Sequence, residues 1–147
     1  MDLYTKFFKA CISGNVKLVS KLLLMRNIHG EFIIKTSAKH QRAIRLACEY
    51  GKVKIIKILL EQNETDPCTS NNMPITNACE NGHLNIIKLL LTYKKVFDNT
   101  NFDHLLELAT IKGHINIARY LLEFDNRLYY HNYAFVLACQ YGHIEII

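Results

Sequence analysis

Five short segments of this chain align without a gap, and that regularity constrains its fold more than any other feature. They are Ala10-Cys11-Ile12-Ser13-Gly14-Asn15-Val16, Ala47-Cys48-Glu49-Tyr50-Gly51-Lys52-Val53, Ala78-Cys79-Glu80-Asn81-Gly82-His83-Leu84, Ala109-Thr110-Ile111-Lys112-Gly113-His114-Ile115 and Ala138-Cys139-Gln140-Tyr141-Gly142-His143-Ile144. Five of the six glycines and four of the five cysteines fall in register, with the glycines 37, 31, 31 and 29 residues apart. A period of this size marks a chain built by stacking one small unit on the next.

The residues around each glycine define the unit. Before it runs a short helical segment, such as Ala43-Ile44-Arg45-Leu46-Ala47-Cys48, ending in small residues. After it runs a second helix, such as Leu84-Asn85-Ile86-Ile87-Lys88-Leu89-Leu90-Leu91, apolar over more than one stripe and therefore buried on several sides. The glycine suits the left-handed site just past a helix end, where a Cβ costs roughly 1 kcal/mol. Neither helix buries its apolar face alone, so the units must stack, and the small Ala-Cys pairs let them approach closely. Polar, turn-rich stretches at 63–72 and 97–101 are expected to protrude as loops between units.

This Ala-Cys-x-x-Gly-His-Leu-x-Ile-Ile-x-x-Leu-Leu pattern resembles the ankyrin repeat over nearly the whole chain. Asp66-Pro67, followed by Asn71-Asn72, Ile75 and the run Ala78 to His83, is similar to the divergent ankyrin arrays of giant DNA viruses of amoebae. One place departs from the family pattern. The Thr-Pro-Leu-His opening appears as Arg42-Ala43-Ile44-Arg45, Met73-Pro74-Ile75-Thr76, His104-Leu105-Leu106-Glu107 and Tyr133-Ala134-Phe135-Val136, which predicts fingers with little β-structure. The expected fold is an all-α, ankyrin-type solenoid in one domain. Its repeats span 1–36 as an amino-terminal cap, 37–67, 68–98, 99–128 and a truncated 129–147. Residues 143–147 are expected to fray or to belong to a longer chain; should the chain end there, a dimer contact or a partner would cover the apolar end.

Composition narrows the function. Half of the 147 residues are hydrophobic, enough for a sizeable core. No apolar run is long enough for a transmembrane helix and no signal peptide opens the chain, so an intracellular, cytoplasmic protein is expected, in the host cytoplasm if the source is viral. An odd number of cysteines, five, fits reduced thiols better than a disulfide framework. The charge is lopsided. Residues 1–60 carry 12 basic side chains against Asp2, Glu31 and Glu49, a net +9, whereas 61–147 carry 6 basic and 10 acidic residues, a net −4.

The aligned cysteines Cys11, Cys48, Cys79 and Cys139 suggest metal or redox chemistry, but equivalent positions of stacked units lie roughly 10 Å apart, too far for a disulfide or a shared zinc ion. They are expected to be core thiols, with Cys68 in its loop the more reactive one. The same spacing separates His83, His114 and His143, and Asn15 and Lys52 stand in their place in the first two repeats. The resemblance implies that these rings tie neighbouring loop backbone. No nucleophile elbow, phosphate loop, zinc-protease motif or dinucleotide fingerprint occurs, so no catalytic, cofactor or metal site is expected.

Protein–protein recognition is the expected function, through the fingers and the concave side of the first helices. The resemblance assigns surface positions to Lys39, Gln41, Glu49 and Tyr50, then Ser70, Asn72, Glu80 and Asn81, then Asn101, Asp103, Ile111 and Lys112, and finally Tyr130, Asn132, Gln140 and Tyr141. Arg42 and Arg45 join Lys39 in a basic cluster with Lys35, His40, Lys52, Lys54 and Lys57. That cluster is either a solvated face or a docking surface for an acidic partner. The aromatic finger Tyr129 to Tyr133 either recognises a partner or packs a degenerate loop. Two further readings stay open: basic repeats that bind nucleic acid or an anionic surface, and a targeting arm of a larger effector.

Overall fold

The computed structural model describes residues 2–124, 131–143 and 145, with the side chains of 124 and 131–133 left undescribed. The finger residues Tyr129 and Tyr130, and positions 144, 146 and 147 at the end, lie outside the described residues, as do the side chains of Asn132 and Tyr133.

Helices come in pairs. α1 (Leu3–Ser13) and α2 (Val16–Leu23) make the first, α3 (Ala38–Glu49) and α4 (Val53–Leu60) the second, α5 (Thr69–Glu80) and α6 (Leu84–Leu91) the third. A short α7 (Lys94–Asn99) precedes the fourth pair, α8 (Phe102–Ile111) and α9 (Ile115–Phe124), and α10 (His131–Tyr141) follows. Within a pair the two helices pack together; between pairs α1 packs on α3, α3 on α5, α5 on α8 and α8 on α10. The result is an all-α repeat solenoid whose first helices form one continuous row.

The glycine turn follows from backbone hydrogen bonding. Gly82 stands at φ +79°, its N–H donates to the carbonyl of Cys79 at 3.2 Å, and the N–H of His83 donates to that of Ala78 at 2.8 Å. This is the Schellman closure, in which two orphan carbonyls of a helix end are satisfied by a left-handed residue and its successor. The same two bonds recur at Gly14, Gly51, Gly113 and Gly142, so local chemistry sets the hairpin angle in every unit.

Packing across units explains the small residues. Ala47, Cys48, Ala78, Cys79 and Ala109 are wholly buried, and the thiol of Cys79 contacts the carbonyl of Leu105 at 3.3 Å. Thr110 takes the cysteine position of the fourth unit, buried, with its hydroxyl donating to the carbonyl of Leu106 at 2.7 Å. The second helices are buried on adjacent sides through Ile55, Ile56 and Leu59 in α4 and Ile86, Ile87, Leu90 and Leu91 in α6.

Three expectations are corrected. Cys139 is exposed and not a core thiol. Its equivalents are covered by the following first helix, and no described element packs over that side of α10, where Phe135 and Val136 are also more than half exposed. The stretch 97–101 is partly helical: α7 forms because Val96 reaches the core, Phe97 stacks edge-on against Phe102 at 5.4 Å, and Lys94 pairs with Asp98 one turn on. The loop at 63–72 likewise ends early, because its last residues enter α5 through a turn at positive φ over Ser70, Asn71 and Asn72. A matching turn opens α3 at Lys39, His40 and Gln41. No strand forms among the described residues; an isolated bridge joins Arg26 to Phe32.

Candidate functional site

The exposed side of the first-helix row is built by residues at the helix ends. Tyr50, Asn81 and Lys112 terminate α3, α5 and α8, each just before its glycine, and all three are exposed. Tyr141 ends α10 in the same place and is also exposed. One residue earlier stand Glu49 and Ile111, half-buried, and Glu80 and Gln140, exposed. The unit repeat thus brings side chains far apart in sequence onto one surface.

Across the second, third and fourth ends lies a polar hollow of ≈ 430 Å³ lined by Glu49, Asn77, Glu80, Asn81 and Lys112. Lys112 reaches back to Glu80 at 3.4 Å, and the Asn77 amide donates to the carbonyl of Arg45 at 3.5 Å. Both ion-pair partners are about half exposed, so the pair is worth little stability and remains open to exchange with a partner's charges. Asn77 was not among the residues expected here. Its signal was its place just ahead of the Ala-Cys pair, the position of Leu46 and Leu108 in the neighbouring units.

The basic cluster divides. Lys39 and Arg42 are exposed and sit over the ring of the buried Phe8, at 5.7 and 5.2 Å from its centroid. A cation over an aromatic face is held there while its charge stays available to solvent. Arg45 is half-buried, donating to the sulfur of Met73 at 3.2 Å and the carbonyl of Lys39 at 3.4 Å, while its Nε is buried without a protein partner. Arg45 therefore stitches two units together more than it offers a free charge.

The finger positions scatter. Ser70 is exposed, while Gln41 is half-buried with its amide donating to the carbonyl of Glu64 at 2.7 Å. Asn72, expected at the surface, is buried at 6% exposure. The positive-φ turn ends on it, and it joins Pro74 and Ile75 on the buried side of α5. Asn101 is exposed but serves as the N-cap of α8, accepting from the N–H of His104 at 3.0 Å, and Asp103 is half-buried. Gln41, Asn72 and Asp103 are equivalent positions, and each keeps a buried polar atom without a protein partner. Tyr130 lies outside the described residues, and nothing of the Asn132 side chain is described.

Behind this surface runs the histidine ladder. The Nε2–H of His83 donates to the carbonyl of Glu49 at 3.0 Å, and that of His114 to the carbonyl of Glu80 at 2.9 Å. Each ring lies over the glycine of the preceding unit: a Cβ on Gly82 would stand 3.0 Å from His114 Cε1. At the first junction the stem of Lys52 covers Gly14 instead. The tie that the resemblance implied is present, and it fixes the carbonyl ends of the very residues that carry the surface.

The five cysteines are free thiols. Burial pushes Cys11 and Cys79 up to about 12 and Cys48 higher still. Cys68, expected to be the more reactive, is also raised, by partial burial and by the neighbouring Asp66 carboxylate, and so is a poorer nucleophile than its loop position suggested. Asp66 loses some charge stabilisation to burial, yet hydrogen bonds from Lys95 and from the Cys68 N–H, with the charge of Lys95, hold it below the usual carboxylate value. Among the described residues no three His, Cys, Asp or Glu side chains are placed to hold a metal, and no helix is long and apolar enough to cross a membrane.

A search of curated proteins finds no match to the chain. The family model for ankyrin repeats (3 copies) matches residues 47–132 and again 77–147, together more than half of the sequence. Ankyrin repeats are generally protein–protein interaction modules, a non-enzymatic interaction fold. Glycine register, stacked helical hairpins, ring-to-carbonyl ties and this match converge: the chain belongs to the ankyrin repeat family.

Proposed function

We propose that this array is a non-enzymatic module that grips another protein across the exposed side of its first helices, with the fingers beside them. The observation that carries this reading is the row of Tyr50, Asn81 and Lys112, with Glu49 and Glu80 lining the hollow between units. Rigid helix ends hold these groups in fixed spacing, so little ordering cost attends binding. Exposed tyrosines at either end of the row supply contact area with a polar tip. The basic pair Lys39 and Arg42, already held over Phe8, supports an acidic partner surface.

The test is affinity capture from the cell of origin, quantified against two variants. Lys39→Glu with Arg42→Glu reverses the exposed charges and leaves Arg45 to its packing role. Tyr50→Ala with Asn81→Ala trims the row. A captured protein lost from both variants, with unchanged melting curves, supports the surface; retention by both refutes it.

A second reading rests on the net +9 of residues 1–60: these repeats bind nucleic acid or an anionic surface. Its affinity for a DNA duplex would fall log-linearly with salt, and a flat salt response removes it. In either reading the array fits the targeting arm of a larger effector. The Asp66-Pro67 and Asn71-Asn72 pattern supports kinship with the ankyrin arrays of giant DNA viruses, and hence action in a host cytoplasm.

A further inference from the structure

The first connector is built differently from the others. The glycine spacing across it is 37 rather than 31, and the additional chain forms a finger that its own hydrogen bonds make rigid. The Asn27 carboxamide oxygen accepts from the N–H groups of His29 and Glu31 at 2.8 and 3.0 Å, and its nitrogen donates to the Glu31 carboxylate at 2.9 Å. Ile33 N–H donates to the Met25 carbonyl at 3.0 Å, and the Arg26 guanidinium donates to the Gly30 carbonyl at 2.6 Å while lying 3.8 Å over the Phe32 ring. Tyr4 of α1 anchors the far side, its hydroxyl donating to the Ile33 carbonyl and accepting from the Lys35 N–H.

These bonds fix the backbone and leave the apolar side chains to be placed by packing. Leu24 is 74% exposed, Ile28 95% and Phe32 45%. Beside them opens a cavity of ≈ 260 Å³ with Leu23, Phe32, Ile34 and Thr36 on one side and 61–64 on the other. Glu61 and Glu64 are exposed, and neither forms an ion pair with any described residue. Ser37 donates to the Glu64 carboxylate at 3.2 Å, holding it in place. Two carboxylates without an ion-pair partner thus face the apolar wall of Leu23, Phe32 and Ile34 across a cavity of mixed lining, where the acidic part of the chain begins.

We propose that this cavity docks a protein segment that inserts one large apolar side chain against Leu23, Phe32 and Ile34 and sets an adjacent lysine or arginine against Glu61 and Glu64. An apolar anchor in a pocket supplies the bulk of such an affinity, and the charge at its rim sets the choice of partner. The rigid finger removes the ordering cost that a mobile loop would impose. The chemistry is opposite in sign to that of the Lys39 and Arg42 surface, so the chain offers two separate contacts to one or two partners.

The probe is a fluorescein-labelled peptide of about ten residues alternating leucine and lysine, long enough to cross such a groove, with its leucine–glutamate counterpart as control. Anisotropy should report saturable binding of the first peptide only, and amide shifts should fall on Leu23, Phe32, Ile34 and 61–64. Glu61→Gln with Glu64→Gln, which leaves the apolar wall of Leu23, Phe32 and Ile34 unchanged, should weaken binding about tenfold, as should Phe32→Ala. The same titration on the Lys39→Glu, Arg42→Glu variant reads the cavity apart from the basic surface and should persist. Equal binding of the glutamate peptide, or indifference to the double Gln variant, would overturn the proposal. So would saturation by leucinamide alone, which makes the cavity a small-molecule site. Self-association abolished by Phe32→Ala, which makes the occupant a second copy, overturns it as well.

Discussion

The first junction of the array and the two that follow reach the same backbone geometry by different side-chain means. At the later junctions His83 and His114 each fill the space over a glycine and donate to a carbonyl of the preceding unit. At the first junction the stem of Lys52 lies over Gly14, its Cδ 3.2 Å from where a Cβ would stand. A flexible stem fills space, whereas a planar ring with an N–H fills it and also ties two units. The Schellman bonds are present at all three, so the turn itself needs neither residue. What the histidine adds is coupling between units, the nearest-neighbour term on which a solenoid's stability rests.

That contrast is sharpest in a pair of glycine substitutions. Gly82→Val should destabilise by about 3 kcal/mol, since a β-branched residue at φ +79° is strained and its side chain meets the His114 ring. Gly14→Val should cost about half as much, because Lys52 swings aside at little expense. Urea midpoints measure both, and equal losses would erase the distinction between ring and stem. Combining Gly82→Ala with His114→Ala should fall short of additivity, because the second change removes what the new Cβ strikes.

Next in size is the tie itself. His83→Ala should cost about 1–2 kcal/mol for the lost, partly buried hydrogen bond to Glu49. Lys52→Ala should stay within about 0.5 kcal/mol. The converse change is more telling: Lys52→His should gain about 0.5–1 kcal/mol by supplying a donor to the carbonyl of Ile12 at the equivalent place. No gain in the urea midpoint would mean that the longer first finger has shifted the junction out of register.

The thiols compare the covered repeats with α10. Under native conditions iodoacetamide should label Cys139 first and Cys68 more slowly, leaving Cys11, Cys48 and Cys79 unmodified until unfolding. Peptide mass mapping over time reads the order; protection of Cys139 would show that its side of α10 is covered in solution.

The smallest effect belongs to the Asp66–Lys95 contact, 2.9 Å long and largely exposed. Asp66 is held below its unfolded carboxylate value. It therefore contributes stability above about pH 4, and that contribution is lost as the pH falls through the lower folded value. Asp66→Asn should lower the neutral plateau of the stability–pH curve slightly and converge with the wild type in acid, which flattens the acid limb by the same small amount.

Much of this molecule was legible because its signals are local. A glycine one step past a helix end, with alanine four residues before it, closes two hydrogen bonds within a single turn, and the register of five such turns dictates stacked hairpins whatever else the chain does. The candidate surface was legible to the same degree: Tyr50, Asn81 and Lys112 follow from counting back from each glycine, and the structure exposes all three. Where that counting met the fingers it failed. Asn72 is buried and Gln41 is bonded to Glu64, because backbone at positive φ, which no glycine announced, redirects those positions.

The sequence by itself determined the repeat and the left-handed turns, since each depends on residues a few positions apart or on one repeated spacing; the histidine ties were implied by the resemblance to the ankyrin repeat. Only the tertiary structure decided that Cys139 is uncovered while Cys79 is sealed, that 94–99 coils into α7, and that Phe32 and Ile34 meet 61–64 around a cavity. Burial is a property of what packs against a residue from another unit. Identical Ala-Cys pairs therefore end in opposite environments, and no count along the chain distinguishes them.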